Sequence, residues 1–209
     1  MIWIMYLLTK PTTQEIYQHL EKQAKQPFSY ADVGASLKLL QISNQSLSHL
    51  PAHYVFDHNR VQLGTGGEAF ERSKIALGCW EMFRFNWIQL LAEAPLPIQA
   101  GLTVGILLRQ WPVWVLNTCR IIDVVEEECG TIKRFGFAYG TLPEHGLSGE
   151  ERFLVEWEQE SDTVWYDLLA FSRPNQLMTQ IGYLYVRSLQ KRFAKASKEA
   201  MTVFTESNG

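Results

Sequence analysis

From Phe85 onward, apolar and polar residues alternate with a period of two in six segments: Phe85 to Leu91, Leu102 to Arg109, Val113 to Val125, Thr131 to Gly140, Arg152 to Glu158 and Thr163 to Phe171. Alternate side chains of an extended chain point to opposite faces, so each segment predicts a strand. The connectors Pro95 to Gly101, Gln110 to Pro112, Glu126 to Gly130 and Glu160 to Asp162 are turn-sized. None holds a crossover helix, so the strands form an antiparallel meander. After Ser172-Arg173-Pro174 the spacing becomes helical from Asn175 to Thr205, with Val186, Leu189, Phe193, Ala196, Ala200, Val203 and Phe204 on one face and Arg187, Lys191, Lys195 and Lys198 opposite. No later element exists to cover that apolar stripe, so the helix must lie on the sheet, and the fold class is α+β.

The N-terminal half is more mixed. Pro11 to Gln26 reads as a helix, with Thr12 and Glu15 at capping-box spacing, and Gln41 to His49 as a surface loop. Tyr54 to Phe56 and Arg60 to Leu63 flank an expected turn at Asp57-His58-Asn59, and Glu68 to Phe83 is spaced as a helix. Gly64-Thr-Gly66-Gly-Glu-Ala69 has dinucleotide-fingerprint spacing, but that fingerprint works in a parallel βαβ unit, so here it predicts a tight turn. Met1 to Leu8 is apolar, lacks a basic flank and a cleavage site, and reads as a strand or docking segment. Without a repeat or linker, residues 1–209 form a single domain, with 1–27 as an extension of 28–205.

Composition narrows the function classes. A formal charge of −3 offers no general attraction to nucleic acid. No run approaches the ~20 apolar residues of a transmembrane helix. Cys79, Cys119 and Cys129 show neither disulfide nor zinc spacing, which fits a reducing cytoplasm. Seven Trp, eight Tyr and eleven Phe exceed what a core of this size requires and suit the walls of an apolar site.

Chemistry concentrates between Gly136 and Phe153, where Tyr139, Thr141, Glu144, His145, Glu150 and Glu151 fall among glycines and Pro143 in an expected polar loop. In the preceding strand, Phe135, Phe137 and Tyr139 share one face, while Arg134, Gly136, Ala138 and Gly140 share the other. The small-residue face leaves room for a packed helix or for a ligand beside Arg134. Arg109 and Arg120 interrupt strands and stand either at an exposed face or in an interior pair. His145 with Glu150 or Glu151 has the makings of an acid/base pair, but the spacing fits no metal site, and a hydrogen-bonded turn histidine is the simpler reading. Carboxylates around Cys129 disfavour a thiolate there. The basic stripe reads as a solvated face or as a contact with an anionic surface.

Tyr30-Ala-Asp-Val-Gly-Ala-Ser36, Leu63 to Phe70, Phe135 to His145, Gly149-Glu-Glu-Arg-Phe153 and Phe171-Ser-Arg-Pro174 together resemble a family catalogued as a domain of unknown function, number nineteen-ninety. The similarity runs from Phe28 to Phe193, and Met1 to Leu8 has no counterpart in it. That family resembles the START-like, or Bet v 1-like, helix-grip superfamily. The resemblance implies a curved antiparallel sheet of about six strands wrapped on the long C-terminal helix, with an apolar cavity between them. Members of that superfamily bind lipids, sterols or polyketides, but the resemblance carries the fold and not the chemistry. The small-residue strand face beside the Gly-rich loop leads to the expectation of a hydrophobic or amphipathic, lipid-like small molecule as partner, and no cofactor is expected. Tyr139, Thr141, His145 and Glu150 are then the expected polar contacts, with Arg134, Trp157 and Tyr166 on the wall. The alternatives are an enzyme using His145 with Glu150 or Glu151, and a protein or membrane-surface module using the basic helix face.

Overall fold

The computed structural model describes residues 6–41, 52–92, 97–110 and 112–207. The expected Gln41 to His49 loop lies outside them except for Gln41, which ends a short 3-10 turn. Strands β2 (Val55–Thr65), β3 (Ile88–Leu91), β4 (Thr103–Gln110), β5 (Val113–Cys129), β6 (Ile132–Thr141), β7 (Leu147–Glu158) and β8 (Thr163–Pro174) form a curved, unclosed antiparallel sheet in the order β2-β8-β7-β6-β5-β4-β3. A two-residue strand, β1 (Tyr6–Leu7), pairs with Val115 and Trp114 of β5. Along the path of the sheet the six expected strands are therefore joined by a seventh, β2.

That seventh strand corrects the expected turn at Asp57-His58-Asn59, which instead pairs with Ala170, Leu169 and Leu168. Turn-forming residues stay extended here because each finds a partner. Asp57 meets Arg187, His58 Nε2 lies 2.6 Å from Asp167 Oδ2, and Asn59 Oδ1 accepts from Lys198. Two other boundaries move for a similar reason. Glu126 to Cys129 continue β5, where Glu127 and Glu128 meet Arg134 and Lys133 across the hairpin. The polar loop expected between Gly140 and Arg152 shrinks to residues 142–146, because β7 begins at Leu147.

The inner face of the sheet holds α3 (Gly66–Gly78), the 3-10 turn Glu81–Phe83 and the long helix α5 (Tyr183–Ser207). At one end this space is filled. Phe70, Leu77, Trp80, Ala194 and Met201 pack on Phe137, Phe153, Val155, Tyr166 and Leu168, with Phe137 and Phe153 stacked at 5.1 Å. Each such ring buried contributes about 1.5–3 kcal/mol. Gly66, at φ 81° as its turn demands, starts α3 and donates its N–H to Asp162 O. Among the described residues all strand pairs are antiparallel, so the glycine turn has no βαβ setting there.

The outer face is covered as well. Helix α1 (Thr13–Ala24) carries the expected Thr12/Glu15 capping box and lays Ile16 and Leu20 on Leu107 and Leu116. Beyond it, Phe28 to Leu39, including the short helix α2 (Ala35–Lys38), packs Tyr30 and Leu39 on Leu169 and Phe171. Arg120 anchors the exit of α1 by donating to Ala24 O and Gln26 O, both at 3.0 Å, and Arg109 lies over the Trp114 ring. Neither arginine reaches the interior.

The C-terminal helical region is broken at Gly182 into α4 (Leu177–Ile181) and α5. The apolar stripe expected on this region needs revision. Ala194, Ser197, Met201 and Thr205 are buried, whereas Val203 is 61% exposed. Arg187 and Lys198, expected on a solvated face, turn to Asp57 and Asn59 of β2.

Candidate functional site

Towards α4 the space between sheet and α5 is not filled and forms a cavity of about 460 Å³. Its walls are mainly apolar: Phe83, Trp87 and Ile88, then Ile106, Leu108, Val113 and Val115 from β4 and β5, Leu168 from β8, and Val186, Leu189 and Phe193 from α5. One end is floored by the loop 142–146. Asn175 Nδ2 donates to Pro143 O and His145 O, and Thr179 Oγ1 donates to Gly146 O, which ties this loop to α4. Leu177, Met178, Ile181, Leu184 and Tyr185 are exposed around α4, and Met178 and Tyr185 also line the cavity.

The expected site residues divide by sheet face. Tyr139 and Glu151 are directly opposite each other on β6 and β7, both line the cavity, and Tyr139 Oη donates to Glu151 Oε2 at 2.6 Å. No Lys, Arg or His forms an ion pair with Glu151 among the described residues. Desolvation therefore dominates its titration, and its pKa is pushed up to about 7, further helped by Asp57 and opposed by the Tyr139 bond. Thr141 also lines the cavity, but its hydroxyl is engaged, accepting from Gly149 N at 2.9 Å and donating to Gly149 O at 3.1 Å. His145 is buried at the floor, where burial pushes its pKa down to about 4. Its Nδ1 accepts from Leu147 N at 2.9 Å, which fixes the proton of the neutral ring on Nε2.

Glu150 is placed differently from its neighbour. Its backbone borders the cavity, but its carboxylate points through to the outer face, accepting from Tyr30 Oη at 2.8 Å, Gly34 N at 2.7 Å, Ser36 N at 2.9 Å and Ser36 Oγ. Arg152, two residues on, donates to Ser36 O and Asp167 Oδ1, both at 2.8 Å. Glu150 thus fastens the N-terminal shell. Glu144 is likewise directed outward, accepting from Lys22 of α1 at 2.6 Å.

Arg134, Trp157 and Tyr166 lie outside the cavity. Arg134 is on the outer face, donating to Glu156 at 2.6 Å and Glu127 at 2.9 Å. The small-residue row beside it is also occupied: a Cβ on Gly140 would stand 2.4 Å from Tyr30 Oη and 2.9 Å from Phe28 Cδ1, and one on Gly136 would stand 2.1 Å from Phe153 O. Trp157 is on the inner face but beneath α3, donating to Asp162 Oδ1. Tyr166 is in the filled core, its hydroxyl 2.8 Å from Ser197 Oγ.

The family described as "Domain of unknown function (DUF1990)" matches residues 29–200. The chain belongs to this family. A "UPF0548 protein" of Dictyostelium discoideum is 32% identical over 212 residues, covering 98% of this chain and 97% of that one. Another, of Deinococcus radiodurans, is 32% identical over 200 residues, covering 91% and 94%. Among solved structures, the Zhui aromatase/cyclase of Streptomyces sp. R1128 aligns at a TM-score of 0.47 with 10% identity, covering 74% of this chain and 94% of that one. The family match takes in every residue lining the cavity and the Ser29–Ser36 shell alike.

Reasoning from sequence missed the ion pair at the cavity wall, where Arg187 Nη1 and Nη2 donate to the two oxygens of Asp57, Nη2 at 2.6 Å. It also missed Asn59, Asn117 and Gln190 in the lining. A signal for Glu151 was present, since it is in phase with Phe153 and Val155 while Glu150 is in phase with Arg152 and Glu156. Among the described residues, no group of three or more His, Cys, Asp or Glu is arranged to hold a metal ion.

Proposed function

We propose that this protein is a binding module for a hydrophobic or amphipathic small molecule, held between the sheet and α5. The observation that carries the reading is the cavity of about 460 Å³, which falls in the size range of small-molecule sites and has apolar walls with a few convergent polar groups. Tyr139 and Glu151 supply the polar contact, with His145 and Thr141 at the floor. Glu150, Arg134, Trp157 and Tyr166 act around the site rather than in it. The neutral dye Nile red tests the idea. It should bind with enhanced emission, and Leu189→Trp, which puts a bulky ring into the cavity, should remove that binding while leaving the fold intact by circular dichroism. Unchanged dye binding in a folded Leu189→Trp protein would refute a cavity site.

A second reading is favoured by one observation: Glu151, with its pKa near neutrality and a phenol in contact, has the properties of a general acid/base facing a bound apolar substrate. His145 is the weaker partner, because its proton affinity is low and Nδ1 is occupied. Under this reading Glu151→Gln abolishes turnover of a bound substrate and spares its binding.

A further inference from the structure

Resting on the binding-module reading, we propose that the ligand carries a protonated amine, and that Glu151 with the aromatic wall around Tyr139 is its subsite. The charge inventory of the cavity leads there. Among the described residues no Lys or Arg lines the cavity, and the guanidinium nearest it by partner, that of Arg187, is committed to both oxygens of the lining residue Asp57. That pair is neutral. His145 is neutral as well, with Nδ1 accepting from Leu147 N. Glu151 is left as an acid whose counter-charge is not supplied by the described residues. A half-buried carboxylate facing an apolar cavity without a cation is costly, so a ligand that brings one is favoured over a neutral analogue, and a ligand carboxylate is disfavoured.

The geometry agrees with the charge. Tyr139 Oη donates to Glu151 Oε2 only, which fixes the carboxyl and leaves Oε1 as an acceptor for the ligand. Of the rings packed against Tyr139, Phe83 also lines the cavity, with its centroid 6.4 Å away, and Phe193 lines it 5.1 Å from Phe83. Ring faces attract a desolvated cation, and an ammonium beside Glu151 has both a carboxylate and aromatic rings within reach. The apolar remainder of the ligand then extends along Ile106, Leu108, Val115 and Leu189.

Three probes of equal chain length separate the outcomes: dodecylamine, dodecanol and dodecanoate, each titrated at pH 7.5 below its micelle concentration and followed by the emission of Trp87, which lines the cavity. The amine should bind about tenfold or more tightly than the alcohol, and the acid most weakly. In Glu151→Gln the amine preference should vanish while alcohol binding persists. Equal binding of all three, or an amine preference that survives in Glu151→Gln, overturns the amine subsite and leaves the binding-module reading standing. Binding of none overturns both. Tyr139→Phe provides a second check, because it keeps the carboxyl and should keep the order of the three probes.

Discussion

Replacing Glu151 by Gln should stabilise the protein at alkaline pH, a counterintuitive outcome for a half-buried, hydrogen-bonded position. In the folded protein this carboxyl titrates at about 7 against an ordinary 4.5. At about 1.4 kcal/mol per pH unit, that shift is worth about 3 kcal/mol. A folded-state pKa raised above the unfolded one means that the folded protein binds the proton more tightly. The associated stability is complete below pH 4.5 and is lost as pH rises through about 7. Glutamine mimics the protonated acid and keeps an acceptor for Tyr139, so the variant escapes the loss. Thermal unfolding followed by circular dichroism should show Glu151→Gln and wild type melting together at pH 4.5. At pH 8 the variant should melt roughly 6–12 °C higher, since 1 kcal/mol moves the midpoint about 2–4 °C at this chain length. The comparison between proteins matters more than either profile alone. His145, held down at about 4, contributes in the opposite sense, with stability lost as pH falls from 6.5 through 4. Subtracting the wild-type curve from the variant curve removes that contribution. A difference that is absent at pH 8, or that grows towards acid, would refute the placement of Glu151 in a desolvated cavity without a counter-charge.

Three further outcomes follow from the outer face and the floor. Glu150→Ala strands Tyr30 Oη, two backbone N–H groups and Ser36 Oγ, and should cost about 3–5 kcal/mol in urea unfolding, with early protease cleavage near residues 28–39. Gly140→Ala drives a methyl group into Tyr30 and Phe28 and should cost about 1–3 kcal/mol by the same assay, an effect that Tyr30→Ala should relieve. His145→Gln should leave stability at pH 8 nearly unchanged and raise it at pH 4 relative to wild type, read from the same melting series.

Much of the fold was legible from periodicity because strands that meet solvent or shell on one face and core on the other must alternate. The six strands from Phe85 onward and the final helix follow that logic. What escaped was pairing that depends on distant partners. Asp57, His58 and Asn59 have turn chemistry, and only Arg187, Asp167 and Lys198, each more than a hundred residues away, make them a strand. The candidate site was half legible. Tyr139, Thr141 and His145 were found because they border the 142–146 loop, but the choice between Glu150 and Glu151 needs to know which face is inside. The small-residue face invited the wrong answer. Gly140 makes room for Tyr30 and Phe28 from the N-terminal shell and Gly136 for the backbone of Phe153 and Leu154, so the hollow lies on the aromatic side of the same strand.

Because β7 presents one acid inward and the next one outward, it works as a self-checking ruler for the whole sheet. Sliding it by a single position would send Glu150 into the greasy chamber and present Glu151 to the Tyr30–Ser36 cradle, at the same moment turning Phe153 out and Arg152 in. Every one of those exchanges is unfavourable, so the register of the ladder also decides which acid faces the chamber. The two adjacent carboxylates also join the amino-terminal wrapping to the chamber through one peptide unit.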